Sequence, residues 1–133
     1  MPAAAAEITE RLKNKTMYKA LYLSPMIPSY NMPETVRFFR DVFGFKVARD
    51  ETGYAILYKD SQTIHLLNAG ADIGEMEFYL EVDALDDLWD AIKDKLDDIK
   101  ARAPFDRDYC MREFHIIIPQ TKTLMFVGQA LTQ

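Results

Sequence analysis

His65 and His115 are the only two histidines of the chain, and each sits in an apolar run of strand type. His115 follows Glu113 by two residues in REFHIII, so on a strand the two side chains share a face. His65 lies in TIHLL and Glu77 in EMEFYLEV. His65 with Glu77 would make an acid/base pair if the two lie within hydrogen-bond reach. The plainer role for such a pair is a carboxylate that orients the imidazole in a polar pocket. A divalent ion asks for three or four donors on one point. His65 and Glu77 are competent ligands, and His115 with Glu113 or Glu81 would complete a set of two histidines and one carboxylate. Cys110, the single cysteine, lies between Tyr109 and Met111. Arg107 and Arg112 are the nearby positive charges a thiolate would need, but an incidental cysteine is the simpler reading. The chain has no glycine-rich phosphate loop, zinc-type Cys/His spacing or serine nucleophile elbow.

These groups need elements to hold them. Leu23–Phe45 reads as a strand, a capped turn, a helix and a glycine exit. Asn31 is a helix N-cap with Glu34 three residues on, and Pro33 falls in the first turn. Met32, Val36, Phe39 and Phe43 form the apolar stripe, and Gly44 is the stop. The strand before the helix is expected over Lys19–Ile27. Three more follow at Phe45–Asp50, Tyr54–Lys59 and Thr63–Asn68, with turn chemistry between them. After the linker NAGADIG the order returns: strand Glu75–Val82, helix Asp83–Lys95 with Asp83 as cap, a weak strand or loop at Ala101–Arg107, then strands Arg112–Ile118 and Thr123–Gly128. Superposing the halves sets Ser24 on Glu77 and His65 on Met125. The organisation is an N-terminal helical extension (1–17, with a helix over Ala3–Lys13) and two β-α-β-β-β modules, 18–69 and 74–129, forming one structural domain.

Strand alternation separates two faces. One, including Leu21, Ile27, Ile64, Leu66, Phe114, Ile116, Leu124 and Phe126, is wholly apolar, as a helix-covered side requires. The other, with Tyr22, Ser24, Met26, His65, Glu77, Tyr79, Glu81, Glu113, His115, Met125 and Val127, mixes aromatic, thioether, carboxylate and imidazole. A mixed face of this kind suits a small-ligand pocket.

Composition narrows the function classes. Of 133 residues, 49% are hydrophobic and 28% charged, and the net charge is −5, which suits one soluble globular domain. The acids concentrate in Glu81–Asp98 and no basic face is visible, so nucleic acid is not an expected partner. No apolar run reaches the roughly 18–20 residues of a membrane span, and the first residues make a poor signal peptide. One cysteine allows no intrachain disulfide, in keeping with a cytoplasmic location.

Two tandem β-α-β-β-β modules, with Ser24-Pro25-Met26-Ile27-Pro28 and the aromatic-rich helix Val36–Phe43 ending in Gly44-Phe45, resemble the vicinal-oxygen-chelate superfamily. That superfamily includes glyoxalase I, extradiol dioxygenases and bleomycin-resistance proteins. Tyr54–Leu57, Ile64–Leu66, Tyr79–Val82, Arg112–Pro119 and Leu124–Phe126 follow in family order. The closing turn departs from the family's Asp-Pro-Asp-Gly-Asn, reading Ile118-Pro119-Gln120-Thr121-Lys122. The resemblance implies an α+β fold whose curled mixed sheets form a cup with the helices outside. It places the family's four metal-ligand positions at Ser24, His65, Glu77 and Met125. Ser24 is a poor ligand and Met125 a soft one. The expected protein therefore resembles the metal-free, bleomycin-resistance-like members, with no cofactor and a small organic ligand in the cup. Tyr22, Met26, Tyr79 and Met125 would give apolar contact, and Ser24, His65, Glu77 and His115 orientation. An acidic cup favours a cationic or hydroxyl-rich ligand. The alternative is a lyase, isomerase or dioxygenase of glyoxalase type with a divalent metal at His65 and Glu77. The family implies a homodimer, in some members with exchanged modules, and the expected source is bacterial.

Overall fold

The computed structural model describes residues 17–70 and 72–132; the helix expected over Ala3–Lys13 lies outside them. In chain order the elements are β1 (Met26–Ser29), α1 (Met32–Asp41), β2 (Lys46–Glu51), β3 (Tyr54–Lys59) and β4 (Gln62–Asn68). The second set is β5 (Met76–Glu81), α2 (Leu85–Ile92, continued by a 3-10 turn at Lys93–Lys95), β6 (Ala101–Asp106), β7 (Met111–Ile117) and β8 (Thr123–Ala130). The strands form two mixed sheets in the orders β1-β4-β3-β2 and β5-β8-β7-β6. In each, the first strand runs parallel to the last and the other pairs are antiparallel. The β-α-β-β-β repeat is therefore present twice, with the same connectivity.

Local chemistry sets these boundaries. Asn31 Oδ1 accepts the Glu34 N–H at 3.3 Å, which satisfies one of the donors a helix start leaves open. Gly44 stands at φ +73°, a conformation that is cheap only without a Cβ. Its N–H bonds to the Arg40 carbonyl, and the Phe45 N–H bonds back to Phe39, so the chain leaves α1 directly into β2. β1 is shorter than expected. Only Met26–Ser29 pairs with β4, and residues 17–25 precede it in no helix or strand.

α2 is capped from a distance. Its N-cap is Ala84, not Asp83, and makes no side-chain bond. Gln129 of β8 supplies the cap, accepting the Leu85 N–H at 2.9 Å and donating to the Asp83 carbonyl at 2.7 Å. Gln129→Ala is accordingly expected to cost about 1 kcal/mol, read as a lowered midpoint in urea.

One core spans both modules. Phe38, Phe39, Phe43 and Phe45 interlock at 5.3–5.5 Å between ring centroids. Trp89 packs on Phe114 at 5.0 Å, and Leu85, Ile92, Ile116 and Ile118 are buried with them. The departing turn Ile118–Lys122 joins the modules. Thr35 Oγ1 donates to the Pro119 carbonyl and the Tyr30 N–H to the Gln120 carbonyl, each at 2.9 Å. Ser29, Thr35 and Thr121 are buried around these bonds. The unusual turn is thus a docking element between the repeats.

Candidate functional site on the sheet faces

Register decides which side chains share the face away from the helices. On β7 and β8, Glu113 stands opposite Gly128, His115 opposite Phe126 and Ile117 opposite Leu124, while Phe114 and Ile116 oppose Val127 and Met125. Opposed residues of an antiparallel pair lie on one face. Phe114, Ile116, Met125 and Val127 are all fully buried, so they belong to the core side. The free face of module two carries Glu113, His115, Leu124 and Phe126. The parallel β5 register adds Glu77, Tyr79 and Glu81. On β6, Arg102 opposes His115 and Phe105 opposes Glu113 across a bulge.

Glu113 is the anchor of this face, fully buried and bonded four times. His115 Nε2 and Arg107 Nη1 donate to Oε1 at 2.9 and 3.3 Å. The Tyr79 hydroxyl donates to Oε2 at 3.0 Å, and the Tyr109 hydroxyl donates to the same oxygen. Burial opposes the charge and is the largest single influence. The bonds from His115, Tyr109 and Tyr79, with the Arg107 charge, outweigh it and hold the carboxyl below the ordinary glutamate range. The same geometry raises both phenols, Tyr79 chiefly by burial and then by its bond to Glu113, Tyr109 chiefly by that bond. An ionised carboxylate only accepts, so Nε2 of His115 carries the hydrogen of that bond. The ring is held between Phe126, at 4.2 Å, and Phe105, at 5.2 Å. Glu113 has no spare lone pair for substrate or metal. Its role is to position Tyr79 and His115.

Glycine makes the arrangement fit. Tyr79 crosses β8 to reach Glu113, passing over Gly128, where a Cβ would lie 1.8 Å from the phenol oxygen. The ring stacks on Phe126 at 6.3 Å and 21°.

Module one repeats the idea with a histidine at the centre. His65 Nε2 meets the Tyr22 hydroxyl at 3.0 Å, and Nδ1 meets the Tyr54 hydroxyl. Tyr22 also bonds to Thr63 Oγ1. Thr63 donates to Ser24 Oγ at 3.0 Å, and Ser24 donates to the Thr63 carbonyl at 2.9 Å. A neutral imidazole satisfies both tyrosines, donating to one and accepting from the other. Met26, paired with His65 in the parallel register, stands half-exposed beside it.

The model of the Glyoxalase/Bleomycin resistance protein/Dioxygenase superfamily matches residues 23–111. The chain belongs to that superfamily. No curated protein matches it. Among solved structures, the bleomycin resistance determinant encoded on transposon Tn5 is similar at 17% identity and TM-score 0.71, over 84% of this chain and 98% of that one. The bleomycin-binding protein of Streptomyces verticillus complexed with copper(II)-bleomycin gives 19% and 0.68, over 88% and 100%. The lactoylglutathione lyase of Agrobacterium tumefaciens gives 16% and 0.69, over 84% and 94%. At these identities the likeness is one of fold.

Against the superfamily's four ligand positions, the structure moves one residue and separates two others. Met125, expected on the cup, is on the core side. The place opposite His115 belongs to Phe126, and Leu124 and Phe126, expected in the core, line the free face. Val127 likewise changes sides. The cause is a one-residue slip, since shifting a strand by one reverses every side chain. Glu77 is exposed on the free face of β5, on the sheet opposite to that of His65, and no hydrogen bond or ion pair joins the two. His115 and Glu113 are brought together; Glu81 stays apart on β5. Cys110 is exposed in the β6–β7 turn. The Arg107 guanidinium goes to Glu113, and that of Arg112 to Asp86 and Asp106, each at 2.9 Å. Tyr54, Tyr109, Phe105 and Phe126 are site residues the sequence reading passed over. For Tyr54 the signal was present, two residues from Ile56, the partner of His65 on the neighbouring strand.

A cleft of about 670 Å³ opens elsewhere, where Phe43 and Phe45 of module one meet Leu80, Leu88 and Gln129 of module two. Gln129 is already committed to capping α2. The remaining polar groups, such as Lys59, Asp60 and Asp83, are exposed rim side chains, not a converging set. The pre-oriented polar chemistry lies on the sheet faces.

Proposed function

We propose that this protein binds a small, partly aromatic organic molecule on the free faces of its sheets and holds it without a metal ion. The observation that carries this reading is the asymmetry of each sheet. One side is packed solid; the other presents accessible Tyr79, Phe126 and Met26 beside side chains already fixed by hydrogen bonds around Glu113 and His65. Rigid aromatics with a few oriented polar groups are what small-ligand sites use. Membership of a superfamily with bleomycin-binding relatives supports it.

His65 and Glu77 do not suit a divalent ion. Both ring nitrogens of His65 are engaged by tyrosines, Glu77 lies on the other sheet, and among the described residues no three His, Cys, Asp or Glu gather. Within one chain the described residues thus favour the metal-free reading over the metal-dependent lyase or dioxygenase one. A homodimer is part of the reading. Leu21 and Leu23 are 85% and 96% exposed, and so much apolar surface ahead of β1 asks for a cover, which a second copy would provide. No described helix is long and apolar enough to cross a membrane, and cytoplasmic residence completes the proposal.

The test is a thermal-shift screen of metal-stripped protein against small aromatic molecules, with and without added Zn, Ni, Mn or Fe. A ligand at a hundred times its Kd stabilises by about 2.7 kcal/mol, a readily measured rise in Tm. The expected result is shifts that chelator leaves unchanged. Shifts that appear only with a divalent ion, and vanish in His65→Ala, would overturn the reading.

A further inference from the structure

We infer that the ligand of the module-two face is a planar aromatic carboxylate, with Arg102 as the group that receives its charge. This rests on the ligand-binding reading above and names the chemical class.

The free face of module two has a polarity along its strand order. Glu77 and Glu81 stand on β5, at one edge. Arg102 stands on β6, at the other, three strand spacings or about 14 Å away. Between them lies a row of rings: Tyr79, Phe126, His115 and Phe105. The acidic character expected from the sequence counted Glu113 among the free charges. Buried and held by Arg107, His115 and two phenols, it presents none to a ligand. The charge that stands opposite His115 is therefore the positive one of Arg102.

Arg102 is also prepared for an anion. The bulge between Arg102 and Phe105 puts both side chains on the His115 face. The guanidinium lies 3.6 Å from the Phe105 ring centroid, a cation–π contact that holds it beside that ring. Arg40, Arg49, Arg107 and Arg112 each have a carboxylate within ion-pair distance; among the described residues Arg102 has none. An uncompensated guanidinium beside aromatic faces matches a carboxylate carried on a ring. The fork takes the two oxygens, the ring stacks toward His115 and Phe126, and Nδ1 of His115 is left for a ligand hydroxyl.

Calorimetric titration of the full-length protein with three isosteric probes separates the cases: 2-naphthoate, 2-naphthamide and 2-naphthylmethylammonium. The expected order puts the carboxylate about tenfold or more ahead of the amide, worth about 1.4 kcal/mol, with the ammonium weakest. Arg102→Gln should remove that margin and leave amide binding unchanged. Arg37→Gln, on α1, should change nothing. Equal binding of acid and amide, preference for the ammonium, or an unaltered margin in Arg102→Gln would overturn the charge assignment while leaving ligand binding in place. No binding by any of the three would overturn the aromatic-carboxylate class. The ligand-binding reading itself would then fall only if the wider screen also gave no shift.

Discussion

Glu113→Ala is expected to destabilise the protein by about 3 kcal/mol, measured by urea unfolding at neutral pH. The carboxylate is completely buried and receives two phenols, an imidazole and a guanidinium. Hydrogen bonds to a charged group contribute about 1.5–3 kcal/mol each in favourable cases, and removing one partner of a buried pair costs about 3–5 kcal/mol. Arg107 is partly exposed and can turn to water, which puts the expected cost at the lower end. The loss should also vary with pH. Folding lowers the Glu113 pKa, so its stabilisation is fully present above the unfolded value, about 4.3, and is lost as pH falls through the lower folded value. Wild type should therefore lose stability as pH falls from about 4.3 toward that lower value. Glu113→Gln, which cannot ionise, should lack that part of the slope. An identical acid limb in both proteins would mean that the carboxyl is not ionised in the fold.

Gly128→Ala should cost about 1–3 kcal/mol and disorganise the module-two face. The added methyl would overlap the Tyr79 phenol, with the ring carbon next to the hydroxyl only 2.5 Å away. The position carries no positive φ, so the backbone accepts alanine and the cost comes from the displaced ring. Tyr79 must swing away, losing its bond to Glu113 and its stack on Phe126. The two positions should therefore be coupled. In a Tyr79→Ala background Gly128→Ala should be nearly silent, and ligand binding on this face should already be weakened. Additive costs in the double variant would show that the phenol does not cross β8.

The repeat was legible because its signals are local. Asn31 with Glu34, Pro33 and the Gly44-Phe45 exit mark α1 unaided, and the aromatic-rich helix with its glycine carries the superfamily resemblance. The second helix was less readable, since its cap comes from Gln129, over forty residues away. β8 was misread for a physical reason. TLMFVG is apolar at nearly every position, so alternation cannot say which side faces the core. Superposing the halves placed Met125 where Phe126 stands, and the bulge in β6 and the β6–β7 turn were invisible to that superposition. The buried role of Glu113 was likewise beyond the sequence, because its donors come from β5, from the turn at Arg107 and Tyr109, and from β7 itself.

The most direct measurement is amide chemical-shift mapping of the metal-stripped protein with 2-naphthoate and with the aromatic fragment that gives the largest thermal shift. The expected perturbations centre on Tyr79, His115 and Phe126 of module two, with any second site at Tyr54 and His65. Perturbations confined to the cleft around Phe45, Leu80 and Leu88 would contradict ligand binding on the sheet faces.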